Sequence, residues 1–390
     1  MIKTDKTLYY IDTCIYGQMH EMFNAALLKA YSYVFTRIEC RANHSNSDCI
    51  RRILSGKHAI NNIIYKNVFV WPDTWIFPQL RYLFGALLCL WYTFSTPRNA
   101  IVVIPYNNPM SIRALNFFNK IFKRRILIYC HGELGALDKL HIKRFSGSWF
   151  IRDFFMDTKM CLANNLYFSV IGDGIFKNLI HYLPQSKLKH FVVTDHPYIF
   201  YQDISPAPAG ETLNIGTVGI LNYGKGQKKF VEFLKQIPSE CRCKVNLSVC
   251  GYVAQDVGEL SKLQVEVPKQ GRAIFEDRDI FEREICKLNY ILFFHGNDMY
   301  KLAASGAIMD AIANRRPIIG LHNDYFDYLF NKVGHFGFLA YDTLGMVETL
   351  CRIEKGEVKT DFDFETIQYK LSPEYIAKHL YDTLKQIGWV

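Results

Sequence analysis

The chain has 390 residues, 49% of them hydrophobic and 15% aromatic, and carries a net charge of +9 from 46 Lys and Arg against 37 Asp and Glu. That apolar share excludes a disordered chain, and the length exceeds one ordinary core, so two domains are expected. The positive balance suits anionic partners such as phosphates or an acidic membrane surface, but it forms no dense basic tract, and no nucleic-acid partner is expected.

The opening Met1-Ile-Lys-Thr-Asp-Lys6 has no apolar core of signal-peptide length and runs straight into a strand-like segment, which leads to the expectation of a cytoplasmic protein. The eleven cysteines have no regular spacing, and Cys241-x-Cys243 lacks the two-residue gap of a zinc or redox pair, so reduced thiols are expected. Short β-branched and aromatic runs alternate with segments of helical period. That rhythm predicts an α/β fold of parallel sheets covered by helices on both faces.

Six strands are expected in the first half, at 8–12, 34–38, 68–71, 100–105, 126–130 and 166–171, enough for a doubly wound sheet. Loops at the carboxyl ends of such strands face the ligand crevice. The loop and helix start after the first strand carries Gly17, His20 and Glu21, read as acceptor-side residues, with His20 a candidate general base because an imidazole titrates near neutrality. An exposed polar helix start explains them as well. The uncharged stretch 82–96, flanked by Arg81 and Arg98, is too short to cross a bilayer and reads as a buried helix in preference to one lying on a membrane. The fifth strand ends in Tyr129-Cys-His-Gly-Glu-Leu-Gly135, whose His131 is the strongest first-half candidate for catalysis, with Glu133 a lesser candidate on the acceptor side; a structural alternative bonds His131 to a backbone carbonyl.

The Pro- and Gly-rich stretch 195–210 predicts a linker between a first domain, 1–194, and a second, 211–371. The rhythm resumes with strands at 213–218, 245–250, 290–294 and 317–321, and with a helix whose Phe230, Phe233, Leu234 and Ile237 share one face. Ser372-Pro373-Glu374 reads as a helix start, opening a terminal helix, 372–390, across both domains.

The strongest local signal is the strand Tyr290-Ile-Leu-Phe-Phe-His-Gly296, its polar loop through Tyr300, and a helix opening at Ser305-Gly306. Free amides of Gly306, Ala307 and Ile308 at a helix start make an anion site, and Asp310 one turn on could accept two ribose hydroxyls. Ser305 as a simple cap and Asp310 as a dipole-matched acid are the bland alternatives. His295 and Tyr300 lie on the same loop. A second signal, Ile215-Gly-Thr-Val-Gly-Ile-Leu-Asn-Tyr-Gly-Lys-Gly226, puts Lys225 on a glycine-bearing strand-to-helix loop, with Gly219 leaving room for a ligand.

On these residues the second half resembles the donor domain of GT-B glycosyltransferases, two Rossmann-like domains facing a cleft, and above all the retaining enzymes that build bacterial polysaccharides. Gly219-Ile-Leu with Lys225-Gly226 matches that family's first motif, and Asp310-Ala-Ile-Ala-Asn-Arg-Arg-Pro317 its acid-rich helix. The family arginine falls on Ile220 and the earlier glutamate on Leu302. The resemblance implies that Lys225 binds the donor diphosphate, Asp310 the ribose, the amides of Ser305 to Ala307 the distal phosphate, and His131 the transferred sugar. It implies transfer from a nucleotide-sugar to a saccharide, or a lipid-linked saccharide at the inner face of the cytoplasmic membrane, with no cofactor and no metal. Aromatic and basic residues at 71–81 and 120–125 could touch anionic lipid. A sugar-nucleotide epimerase and a non-catalytic nucleotide-sugar-binding protein are the alternatives.

Overall fold

The computed structural model describes residues 3–71, 78–201, 207–268 and 278–390. It divides into two compact units, one of Met1–Ile199, Leu302–Ala304 and Leu371–Val390, the other of Phe200–Lys301 and Ser305–Lys370. Residues 202–206 of the expected linker and 72–77 of the aromatic stretch lie outside the described residues.

The first unit holds seven parallel strands: β1 (Thr4–Ile11), β2 (Phe35–Ala42), β3 (Ile63–Asn67), β4 (Ile101–Ile104), β5 (Arg125–Cys130), β6 (Leu166–Ile171) and β7 (Phe191–Thr194), in the order β3-β2-β1-β4-β5-β6-β7. All four residues of β4, Ile101-Val-Val-Ile104, are buried, as a strand covered on both faces requires. The order reverses between β1 and β4, which pair through Leu8 to Tyr10 and Ile101 to Val103. Loops leaving these two strands therefore diverge and leave a crevice at their carboxyl ends. The terminal helix Pro373–Gln386, capped by Ser372, packs against helix Glu21–Val34 of this unit.

Two expectations change here. The third strand is Ile63–Asn67 and not 68–71: its exposed, partly polar edge position hides it from a search for apolar runs, while Val68 and Val70 are buried in irregular backbone. The seventh strand is four residues, too short to separate by pattern from the linker that follows. The stretch 82–96 does form a helix, Pro78–Phe94, but only one side is buried; Leu80, Leu83, Leu87 and Trp91 face outward. Among the described residues no helix is long and apolar enough to cross a membrane.

The second unit holds β8 (Leu213–Leu221), β9 (Val245–Val253), β10 (Val265–Glu266), β11 (Tyr290–Phe293), β12 (Ile318–Leu321) and β13 (Gly337–Ala340), parallel in the order β10-β9-β8-β11-β12-β13. Two of these, β10 and β13, are short outer strands with no run to reveal them. The reversal falls between β8 and β11. Phe230, Phe233 and Leu234 of helix Gln227–Gln236 pack with Phe294 in one apolar core under the sheet.

Glycine 251 has φ of +150°, and a Cβ there would stand 2.0 Å from the Gly219 carbonyl oxygen on β8. Gly251→Ala should therefore lower unfolding free energy by on the order of 3 kcal/mol. Gly258→Ala, whose Cβ would meet nothing within 4 Å, should change it by less than about 1 kcal/mol. Urea denaturation of the two variants checks the contrast.

Candidate functional site

In the second unit the candidate residues gather at the β8/β11 reversal. Near the end of β8, Gly219 takes φ of +80° with nothing within 4 Å of where its Cβ would be, and beyond the strand the Asn222 side chain accepts the Lys225 N–H to close a tight turn. Gly226 starts helix Gln227–Gln236 at φ of +81°, where a Cβ would lie 2.5 Å from the Phe294 carbonyl oxygen. Only glycine fits this approach, which seats the Lys225 loop directly on the exit of β11. Lys225 has its pKa lowered by removal from water. His295 is buried, and its pKa is pushed down to about 3 by desolvation, then by the Lys225 and Lys229 ammonium groups. It is therefore a neutral imidazole beside two cations, with its Nδ1 buried and unpartnered.

The His295 ring meets the Tyr300 ring edge-on at 4.8 Å. Burial raises the Tyr300 phenol pKa, offset in part by the Ser305 hydroxyl next to it. Ser305 occupies the N-cap position of helix Gly306–Ala313 but makes no capping hydrogen bond. The amides of Gly306, Ala307 and Ile308 lack intrahelical acceptors, and a Cβ at Gly306 would meet nothing within 4 Å, so this helix start is open. Thus Lys225, His295, Tyr300 and Ser305 form a continuous chain of neighbours leading to it. Asp310 is not a free carboxylate: the Arg278 guanidinium stands 2.8 Å from its Oδ1 and also pairs with Glu282. Nothing in the spacing of the sequence singles out Arg278, which comes from a helix 32 positions upstream.

In the first unit, Asp12 at the end of β1 accepts the N–H groups of Cys14 and Ile15 and fixes the following loop. Gly17 spends its N–H on the Ser45 hydroxyl and its carbonyl on the Asn46 amide, so it ties this loop to helix His44–Ile53. Glu21 is buried in the same packing, 4.0 Å from Arg52 and beside the Cys49 thiol. His20, at φ of 52°, sends its ring the other way, 4.5 Å from that of His131 and 6.1 Å from that of Tyr106.

The His131 Nε2–H donates to the Pro105 carbonyl at 2.8 Å, which leaves Nδ1 as the acceptor of a neutral ring. Desolvation, then His20 and His196, hold its pKa well below the usual imidazole value; desolvation lowers that of His20 as well. Glu133 accepts the N–H groups of both His131 and Gly132, at 2.9 and 3.0 Å. Burial lifts its pKa from 4.5 to about 7 against the pull of those amides. The structure thus brings His20, His131 and Glu133 together and adds Tyr106, after β4, and His196, after β7, which touches the same Phe23 ring as His131. His196 falls in a stretch whose prolines read as linker, which concealed it.

Two Asp-x-Asp triplets occur in the chain. Asp277 of the first lies outside the described residues, and Asp363 of the second accepts the Thr366 N–H at the start of helix Phe364–Leu371. Among the described residues no cluster of three or more His, Cys, Asp or Glu could hold a metal ion.

No protein-family model matches the chain, and no curated protein matches it. Solved structures do. The chain is similar to the structure of Anabaena Alr3699/HepE in complex with UDP-glucose, with a TM-score of 0.63 and 12% identity over 98% of this chain and 100% of that one. It is similar to the apo form of the lipopolysaccharide outer core galactosyltransferase WaaB, with a TM-score of 0.59 and 14% identity over 97% and 99%. The glycosyltransferase WaaG, involved in lipopolysaccharide biosynthesis, gives 0.57 and 13% over the same shares. The fold is GT-B. In this GT-B chain the position of the motif arginine holds Ile220, 38% exposed at the end of β8, and Leu302 is buried. The cations in this cluster are Lys225 and Lys229, beside His295, with Arg278 next to Asp310.

The Glu133 carboxyl supplies a pH test. Its unfolded form ionises near 4.5 and its folded form near 7, so the folded state holds the proton longer, and stability from this group falls as pH rises through that window. The melting temperature should drop less between pH 5 and pH 8 in Glu133→Gln than in the wild type, read by circular dichroism.

Proposed function

We propose that the chain is a glycosyltransferase that moves a sugar from a nucleotide diphosphate to the hydroxyl of a saccharide acceptor, including one carried on a lipid at an anionic cytoplasmic membrane face. The observation that carries this reading lies in the second unit, where an uncapped helix start follows the loop of His295, whose ring lies beside Lys225 and Lys229. A dipole-bearing helix end and an ammonium group together neutralise a diphosphate, and they do so best where water is thin. The neighbouring structure solved with UDP-glucose has the same fold and supports a nucleotide-sugar as the donor.

In the reaction, the bond between the anomeric carbon and the diphosphate oxygen breaks, and the nucleoside diphosphate leaves with the electron pair. The charge that grows on the leaving oxygen is met by Lys225 and the amides of Gly306 and Ala307, so this reading calls on no cofactor and no divalent cation. The acceptor oxygen bonds to the anomeric carbon and gives up its proton. His20 suits that proton because its lowered pKa keeps it unprotonated at neutral pH. His131, held as one tautomer by Pro105, offers Nδ1 as an acceptor to a sugar hydroxyl. Asp310 binds the ribose, oriented by its ion pair with Arg278.

A thermal-shift panel of UDP, GDP, ADP, TDP and CMP, with and without their sugars, should give one clear hit, since a ligand bound only by the folded state raises its melting temperature. Lys225→Ala and Asp310→Ala should each raise the Kd of that hit about 10- to 100-fold, the loss of one charge-assisted contact. Neither should move the unliganded melting temperature by more than about 3 °C. Absence of any hit, or a hit indifferent to both substitutions, would sink the reading.

A further inference from the structure

The outward side of helix Pro78–Phe94 is apolar where a surface helix should be polar. Leu83, Leu87 and Trp91 are 51%, 58% and 70% exposed at helical spacing, while Arg81 on the opposite side is buried, donating to the Cys14 carbonyl. The neighbouring helix Ile112–Phe122 repeats the pattern, with Phe117 and Ile121 at 62% and 65%. The two are joined by Phe94, whose ring lies 6.0 Å from Phe118 and 5.0 Å from Phe122. The result is one continuous apolar surface across two helices of the first unit, of the kind that marks a docking face.

Its charge is one-sided. Between Asp73 and Glu133 there is no acidic residue and there are seven Lys and Arg. Arg113 is spent on Asp153 and Asp157, and Arg81 is buried. Of the other five, Arg98, Lys120 and Lys123 are exposed where the two helices end, Arg124 donates to the Phe94 carbonyl and Arg125 to the Asn99 carbonyl. Lys120 and Lys123 complement their own helix dipole, but Arg98 and Arg124 repel one another, which with burial lowers the Arg124 pKa. A cluster of like charges with no acidic residue in its own stretch of sequence, beside an exposed apolar face, is complementary to one surface in particular, a bilayer whose headgroups are anionic and whose acyl region begins just below them.

We propose that this face docks on an anionic lipid membrane, with Leu83, Leu87, Trp91, Phe117 and Ile121 at the acyl boundary and Arg98, Lys120 and Lys123 on the headgroups. The inference accords with a lipid-carried acceptor but rests on the surface of the first unit alone. The full chain should cosediment with phosphatidylcholine vesicles containing about 30% phosphatidylglycerol, and much less with phosphatidylcholine alone. Raising salt from about 0.1 M to about 0.5 M should weaken binding, since exposed charges are then screened.

The variant L87S/W91S/I121S alters only exposed side chains and should melt like the wild type while losing vesicle affinity at least about tenfold. K120E/K123E should lose the preference for anionic vesicles, and it tests the proposal even if the triple variant folds poorly. Unchanged binding in K120E/K123E, equal binding to neutral vesicles, or a dimer in sedimentation velocity that L87S/W91S/I121S dissolves would overturn the proposal, the last by giving the face to a second copy. No nucleotide is present in the vesicle assay, so its failure would leave the transferase reading standing, and failure of the nucleotide panel would leave this one standing.

Discussion

The reversal of strand order between β8 and β11 is the constraint from which the proposed donor site follows. Parallel strands must be joined by crossovers, and where successive crossovers pass to opposite faces of the sheet the strand ends at the reversal stay uncovered. Two loops then emerge side by side, one carrying Lys225 and the other His295. What brings them into register is the contact of Gly226 with Phe294, a distance no side chain could tolerate. The same rule acts in the first unit, where the loops after β1, β4 and β5 deliver His20, Tyr106 and His131 to one place.

Electrostatics in the two clusters run in opposite directions for one physical reason. Removal from water penalises charge, so the imidazoles of His20, His131 and His295 stay neutral and the Glu133 carboxyl holds its proton to an unusually high pH. Lys225 feels the same penalty, which lowers its pKa from the ordinary lysine value. The second unit is thus left with ammonium groups and helix amides suited to an anion, and the first with uncharged acceptors suited to hydroxyls. A bound diphosphate would relieve the penalty on Lys225, which is the coupling the proposed donor site uses.

The central strands were legible because burial on both faces leaves a run such as Ile101-Val-Val-Ile104 that no turn or surface helix would carry. Edge strands were not: Ile63–Asn67 owes its conformation to backbone pairing with β2, to which its side chains testify only weakly. Loops at carboxyl ends of strands could be found by counting from those runs, which is how His131 and Lys225 came into view. Their partners could not. Arg278 reaches Asp310, and Tyr106 and His196 reach the His20–His131 pair, through the sheet's order, a long-range property that local pattern does not encode.

Helix Pro78–Phe94 shows a further limit of pattern, because a segment apolar nearly all round gives no sign of which side faces the core. Its length and lack of charge read as a buried helix in preference to an interfacial one, and hydropathy alone would put its one charged residue, Arg81, on the wet side. The structure inverts that expectation. Arg81 turns inward, where its guanidinium lies over the Tyr16 ring and near the buried Asp12 carboxylate at the end of β1, while Trp91 turns outward. A buried cation that helps hold the β1 loop and an exposed tryptophan on the same helix are consistent with a single arrangement: one side of this segment supports the first unit's site, and the other is free to meet an apolar phase outside the protein.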